Sequence, residues 1–321
     1  MKRLLTLLTI ATACATSFTV SSADYTLKLG HLANEDNVWN KAVVKLSEDV
    51  YKKSNGRLEI NIYPNDQLGN ELDVINSIQL GTADMTISGE SLQNWAPKAA
   101  LLAIPYAFKD SEQLAKAANG EVGKAIEKQI TQKTGLVPIA WFERGARNLT
   151  SNKPIKTPDD LDGMTLRVPN VPLFVSVWDA LGAKPIPMSF SEVFTSLQQG
   201  TIKGQENPLS LIKSASFYEV QDYVNLTEHV RSWIYVVIGQ NQLNRLPQDL
   251  QKILLTSAKD MQKYEHELML EDEKQLVNFL KEKGMTFVES DQALFREKAL
   301  EAVQKSLNKE QLSLFEQIQK L

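Results

Sequence analysis

The sequence predicts an α/β protein built as two units that exchange chain, and three observations predict it. From Tyr25 to Ser88 the hydropathy pattern runs strand, helix, strand, helix, strand, the rhythm of a parallel sheet covered by helices. A second α/β stretch begins at Gly135. After Leu246-Pro247 a helical pattern continues almost unbroken to Gly284, long enough to belong to both units or to bend between them. The chain of 321 residues exceeds what one core ordinarily fills. No Gly/Ser tether separates the halves, so the chain is expected to cross between them more than once.

Each element has a local cause. Lys2 and Arg3 precede an apolar run from Leu4 to Ala15, followed by Ser21-Ser22-Ala23, the pattern of a secretory signal peptide cleaved near Ala23. Cys14, the single cysteine, lies in this leader, and loss of Lys2 and Arg3 moves the formal charge from -4 to -6. Tyr25 to Gly30 alternates as a strand, and Val38 to Lys53 is an amphipathic helix stopped by Ser54-Asn55-Gly56. Leu58 to Tyr63 is a strand closed by Pro64, Asn70 to Leu80 a helix ended by Gly81, and Met85 to Ser88 a short strand. Ligands of such sheets sit beyond the carboxyl ends of the strands, so His31, Pro64 and Ser88 to Ser91 mark candidate site loops. Further on, Gly135 to Phe142, Thr165 to Val168, Tyr223 to Thr227 and Trp233 to Ile238 read as strands. Pro172 to Leu181 reads as a helix, and the capping box Ser189 to Glu192 opens another that runs to Gly200.

Catalysis finds little support. His31, His229 and His266 lack metal-ligand spacing, Ser91 lacks the second glycine of a nucleophile elbow, and no phosphate-cradling glycine loop appears. No cofactor, no metal and no enzymatic activity are expected. An isoelectric point near 5.6 gives no attraction for nucleic acid or an anionic membrane.

The arginines carry more. Arg147 follows the hydrophobic strand that reaches Phe142, and Arg167 stands inside the apolar strand Met164-Thr-Leu-Arg-Val-Pro169. A guanidinium among buried strand residues must be paired. An internal carboxylate is one available partner, and the carboxylate of a bound organic acid, matched by the planar fork, is the other.

At these residues the chain resembles a known family. Leu58-Glu-Ile-Asn-Ile-Tyr-Pro with Gln67-Leu-Gly69, Leu80-Gly-Thr-Ala-Asp84, Ile104-Pro-Tyr106, Leu166-Arg-Val-Pro-Asn170, Pro187-Met-Ser-Phe-Ser-Glu-Val193, Gly204-Gln-Glu-Asn-Pro208 and Phe217-Tyr-Glu-Val-Gln221 follow one another in that family's order. The resemblance is to the periplasmic solute-binding subunits of TRAP transporters, the DctP-type family, and especially to its sialic-acid and sugar-acid branch. It implies a two-lobed, periplasmic-binding-protein-like (Venus flytrap) α/β fold with a long C-terminal helix spanning both lobes. It also implies a periplasmic receptor that delivers its ligand to a sodium-driven membrane permease, and a monomer is the default expectation for a delivery protein. By the same analogy residues 24–144 and 233–271 form the first lobe, and 145–232 and 272–321 the second.

The resemblance assigns Arg167 the bidentate grip on the ligand carboxylate, with Arg147 assisting, Asn170 and Asn207 completing the clamp and Phe190 walling the pocket. The first lobe departs from the sialate pattern. His31, Glu35, Ser88 and Glu90, with Trp95 as a further candidate, are expected to read hydroxyls, and Trp233 or Tyr235 to stack on a sugar face. The expected ligand is a monocarboxylate sugar acid, a hexuronate or keto-sugar acid. A C4-dicarboxylate using Arg147 for its second carboxylate, sialic acid, and an exported enzyme acting on sugar acids are the alternatives.

Overall fold

The structure is a computed structural model that describes residues 23–321; the expected signal peptide, except for its last residue, lies outside the described residues. The first part of the chain forms β1 (Tyr25–Gly30), α1 (Val38–Lys53), β2 (Leu58–Tyr63), α2 (Glu71–Leu80) and β3 (Met85–Ser88), and β1 pairs in parallel with both β2 and β3. Caps set the helix boundaries. Asn37 accepts from the Trp39 N–H at the start of α1, and Asn70 and Asp73 form a capping box on α2, which Gly81 ends in the left-handed conformation.

Two 3-10 segments (Glu90–Asn94 and Pro97–Ala103) lead to α3 (Ser111–Asn119) and α4 (Glu121–Thr134), a stretch the sequence reading left unassigned. Then comes β4 (Leu136–Ser151), expected to stop at Phe142 but continuing for nine more residues. The second part adds β5 (Thr165–Val168), α5 (Pro172–Ala180), β6 (Lys184–Pro187), α6 (Val193–Gln198), β7 (Gly204–Pro208) and α7 (Leu209–Ser214). The helix expected to open at Ser189 is a 3-10 turn over Phe190–Glu192 before α6 begins. The two strands expected between Tyr223 and Ile238 are one, β8 (Tyr223–Gly239). The chain ends with α8 (Gln240–Arg245), α9 (Gln248–Glu282), β9 (Thr286–Glu289), α10 (Gln292–Ser306) and α11 (Lys309–Gln319).

All nine strands join one sheet in the order β2-β1-β3-β8-β4-β7-β5-β6, with β9 on β8. The antiparallel pair β4 and β8 runs through both parts: β3 pairs with Tyr235 to Ile238 at one end, and β7 with Arg147 to Ser151 at the other. Between these ends the β4 register on β8 shifts, from Arg144 opposite Ser232 to Arg147 opposite Val230. The shift matters for side-chain direction. Residues three apart in a regular strand face opposite sides, whereas an irregularity of this kind re-aims them.

The 35-residue α9 is the second tie between the parts. It buries Leu250, Leu254, Ala258 and Met261 with Val43 and Leu46 of α1 and the strand residues Leu29 and Ile87, and further along buries Leu280 with Val193, Leu197 and Phe217. The last helix returns toward the first part, where Gln311 donates to the Pro97 carbonyl at 2.6 Å and Gln113 of α3 donates to the Ile318 carbonyl at 2.9 Å. Among the described residues no helix is long and apolar enough to cross a membrane.

Where α9 packs on β4 it buries an acid. Glu265 is fully buried and neither carboxylate oxygen has a hydrogen-bond partner, while Glu143 of β4 lines the same cavity. Burial, and then the charge of Glu143, push the Glu265 carboxyl well above its ordinary range. The folded state therefore holds a proton that the unfolded chain releases once pH exceeds about 4.3, and stability falls as pH rises through that interval. Glu265→Gln, which cannot ionise, is expected to raise unfolding free energy at pH 8 by about 1–3 kcal/mol. At pH 4 the gain should vanish, and urea denaturation at the two pH values checks both statements.

Candidate ligand-binding cleft

A cleft lies at the carboxyl ends of β1 and β3, facing β5 and β7, and holds about 650 Å³ of empty space including its mouth. From the first part come Leu32, Trp39, Asp66, Asn70, Glu71, Ser88, Glu90 and Ser91; from the second come Arg167, Asn170, Met188, Phe190 and Asn207, with Arg144 and Arg147 on the crossing strand between them. At Gly89 a Cβ would stand 2.5 Å from Ile234 Cγ2, so only glycine lets the floor of the cleft pack this closely on β8.

Three arginines dominate, and their partners differ. Arg147 is fully buried; its Nε donates to Glu206 Oε2 at 2.5 Å and its Nη2 to Glu206 Oε1 at 2.7 Å, while its Nη1 reaches Glu90 only at 3.4 Å. Arg144 donates from Nη1 to both oxygens of Glu90, at 2.8 and 2.9 Å. Arg167 has no carboxylate partner among the described residues. Its Nε and Nη2 both donate to the Met188 carbonyl, at 2.9 and 2.6 Å. A guanidinium carries five N–H donors, so the Nη1 edge of Arg167 keeps an open fork. Each arginine also lies near an aromatic ring: Arg144 at 5.4 Å from Trp39, Arg147 at 5.3 Å from Phe174 and Arg167 at 6.0 Å from Phe190.

The acids are tuned by these neighbours. Burial works against ionising Glu206, but Arg147 and the hydrogen bonds from His229 and Arg147 outweigh it and hold the carboxyl at about 2. Burial likewise opposes ionisation of Glu90, and Arg144 and Arg147 nevertheless keep it below its ordinary value. His229 is lowered by burial. A neutral ring with its proton on Nε2 donates to Glu206 Oε2 at 2.9 Å and accepts from Thr227 Oγ1 at 2.9 Å. Burial pulls Arg167 down to about 10, so it remains a cation at neutral pH. Glu71 is raised by burial and by Glu90; its Oε1 accepts from Ser88 at 2.5 Å and its Oε2 from Ser91 at 2.9 Å.

The cleft gathers seven of the residues singled out from the sequence: Arg167, Arg147, Asn170, Asn207, Phe190, Ser88 and Glu90. Five others lie elsewhere: Trp233, Tyr235, His31, Glu35 and Trp95, of which Tyr235 is wholly buried and Trp95 packs against the core. Trp233 is wholly buried and packs edge-on against Phe108 and Tyr235. Strand alternation explains it, because Ile234 between these two aromatics is the residue that faces the cleft. His31 is turned into the protein, its Nε2 3.1 Å from Asn40 Oδ1 of α1, and Leu32 takes the cleft position. Glu35 is exposed on the loop before α1. The sequence reading missed Arg144, Glu71 and Glu206. Arg144 was hidden by its spacing of three from Arg147, which the register shift reconciles, and Glu71 by its place at a helix start, where capping and dipole already account for an acid.

Comparison with known proteins agrees with this arrangement. The model of bacterial extracellular solute-binding protein, family 7 (DctP), matches residues 29–310. A solute-binding protein of Roseobacter denitrificans is 54% identical over 303 residues, 94% of this chain and 93% of that one. A crystal structure of a TRAP periplasmic solute-binding protein from that species, with bound L-galactonate, has a TM-score of 0.91 at 55% identity and covers 93% of this chain and 99% of the other. The 2,3-diketo-L-gulonate-binding periplasmic protein of Escherichia coli is 33% identical over 272 residues, 84% of this chain and 83% of its own. A TRAP periplasmic solute-binding protein from a Sulfitobacter species, with bound β-D-galacturonate, has a TM-score of 0.89 at 27% identity over 92% of this chain and all of that one. With the two-lobed α/β fold, the long α9 and the arginine-lined cleft in place, the chain belongs to the DctP family, family 7 of the bacterial extracellular solute-binding proteins.

Proposed function

We propose that the protein is the periplasmic receptor of a TRAP transporter and binds a sugar acid with one carboxylate, an aldonate, hexuronate or keto-sugar acid. The observation that carries this reading is Arg167, a buried cation whose open Nη1 edge has no carboxylate partner among the described residues. Such a charge calls for an anion, and a ligand carboxylate fits the fork. Asn170, Asn207 and Phe190 stand beside it, and Ser88, Ser91, Glu71 and Asn70 offer hydrogen bonds suited to hydroxyls. Relatives with bound L-galactonate and galacturonate support the same ligand class. A C4-dicarboxylate fits less well, since Arg147, the cation it would need for its second carboxylate, already holds Glu206.

The lobes divide where the β4 register shifts, with residues 24–144 and 233–271 on one side and 145–232 and 272–321 on the other, except that α11 rejoins the first lobe. Closure brings the lobes together over the ligand. Asn94 donating to the Asn170 carbonyl at 2.9 Å and Asn34 to the Ser214 carbonyl at 3.0 Å are bonds of the closed form. The protein is exported with its leader removed, acts without cofactor or turnover, and hands the ligand to a membrane permease.

A thermal-shift panel of aldonates, uronates, keto-sugar acids, sialic acid, C4-dicarboxylates and neutral sugars tests the ligand class. Ligand at a hundred times its Kd adds about 2.7 kcal/mol of stability. Sugar acids should shift the melt and neutral sugars should not; a response confined to dicarboxylates would contradict the reading. Recovery of the bound acid unchanged separates a receptor from an enzyme.

A further inference from the structure

Three ionisable groups of the cleft have no salt-bridge partner among the described residues: the cation Arg167 from one lobe and, from the other, the carboxyls of Asp66, which is hydrogen-bonded to Ser191, and of Glu71. Arg144 and Arg147 are paired with Glu90 and Glu206. Glu71 stands at the first position of α2, and each of its oxygens is held by one serine hydroxyl, Ser88 or Ser91. The two hydroxyls fix the orientation of the group and leave each oxygen one further lone pair directed to other donors. When ionised, a carboxylate so placed accepts from hydroxyls and repels a second carboxylate.

Resting on the sugar-acid reading above, we propose that Glu71 is the residue that limits the ligand to a single carboxylate. It accepts hydroxyls from the polyol end of the ligand while Arg167 takes the acid end, so that an aldonate is bound and the corresponding aldarate, acidic at both ends, is rejected. Glu90 adds to the repulsion only weakly, because Arg144 spans both of its oxygens. The cleft is thus polar in one sense, with its open cation on one lobe and its open carboxyls, Glu71 and Asp66, on the other, which also sets the direction in which a sugar acid lies.

Calorimetry with galactonate and galactarate on the full mature protein tests this, with Glu71→Gln and Glu71→Ala as variants. Glu71 is only half-buried at a helix terminus, so both variants should fold, and ligand-free melting confirms it. The wild type should prefer the aldonate by about a hundredfold or more, the scale of a like-charge contact out of water. In Glu71→Gln the aldarate should gain at least about tenfold and the preference should narrow, and Glu71→Ala should keep the narrowed ratio. Wild-type binding of the aldonate with a ratio that neither variant moves overturns the role of Glu71 and leaves the sugar-acid reading standing. Binding of neither acid overturns the aldonate–aldarate role of Glu71, and only with no response to any sugar acid of the thermal-shift panel does the sugar-acid reading fall as well.

Discussion

Arg167→Ala is expected to lose at least a hundredfold in affinity for any sugar acid the wild type binds. The variant removes the open cation of the cleft, and with it two hydrogen bonds to a charged group, each worth about 1.5–3 kcal/mol. Together that is about 3–6 kcal/mol, or roughly two to four powers of ten in Kd. Arg167→Lys should not restore binding. The Nε and Nη2 of Arg167 are spent on the Met188 carbonyl, and an ammonium cannot hold that carbonyl and present a planar fork to the ligand at the same time. Melting of the ligand-free variants separates lost binding from lost folding, and calorimetry reads the affinity.

Glu206→Ala is expected to be the most destabilising single change in the cleft. Glu206 is fully buried between Arg147, which grips both of its oxygens, and His229. Removing it leaves a buried guanidinium whose only other carboxylate contact is the long one to Glu90. Breaking a buried pair from one side costs about 3–5 kcal/mol, to be measured by urea denaturation of the ligand-free protein. Its carboxyl is held at about 2, below the ordinary carboxylate value, by Arg147 and His229 acting against burial. The stability it contributes is therefore present at neutral pH and is lost as pH falls through the ordinary carboxyl range toward about 2. The wild-type and Glu206→Ala curves should converge in acid. A loss under about 1 kcal/mol at pH 7, within what exposed pairs contribute, would show that the pair stabilises nothing.

Much of the first lobe was legible because its elements are locally specified: alternating strands, an amphipathic α1, and α2 bounded by Asn70 and Gly81. The long α9 was legible from its unbroken pattern. What escaped was set by pairing between distant segments. Nothing in the stretch from Phe142 to Ser151 announces that β4 continues, because its partners β7 and β8 lie some sixty to ninety residues further along the chain. The same holds in the cleft. Arg167 and Arg147 stood out as arginines at strand positions, whereas Glu71 and Glu206 acquire their roles only from what folding places beside them: two serines in one case, an arginine and a histidine in the other. Trp233 shows the converse error. An aromatic at a strand end invites a stacking role, and one residue of strand parity sends it into the core.

The charge balance of the chain also takes on a local meaning. On the proposed function, a chain with more acids than bases captures an anion by leaving one buried cation without a carboxylate, while the other two cleft arginines are neutralised in place. The most direct test is to titrate the wild-type protein with galactonate and with galactonamide, which differ in charge at the acid end and little in shape. The amide should bind at least about a hundredfold more weakly, and Arg167→Ala should abolish this difference. Equal affinity of the wild type for acid and amide would contradict capture through Arg167.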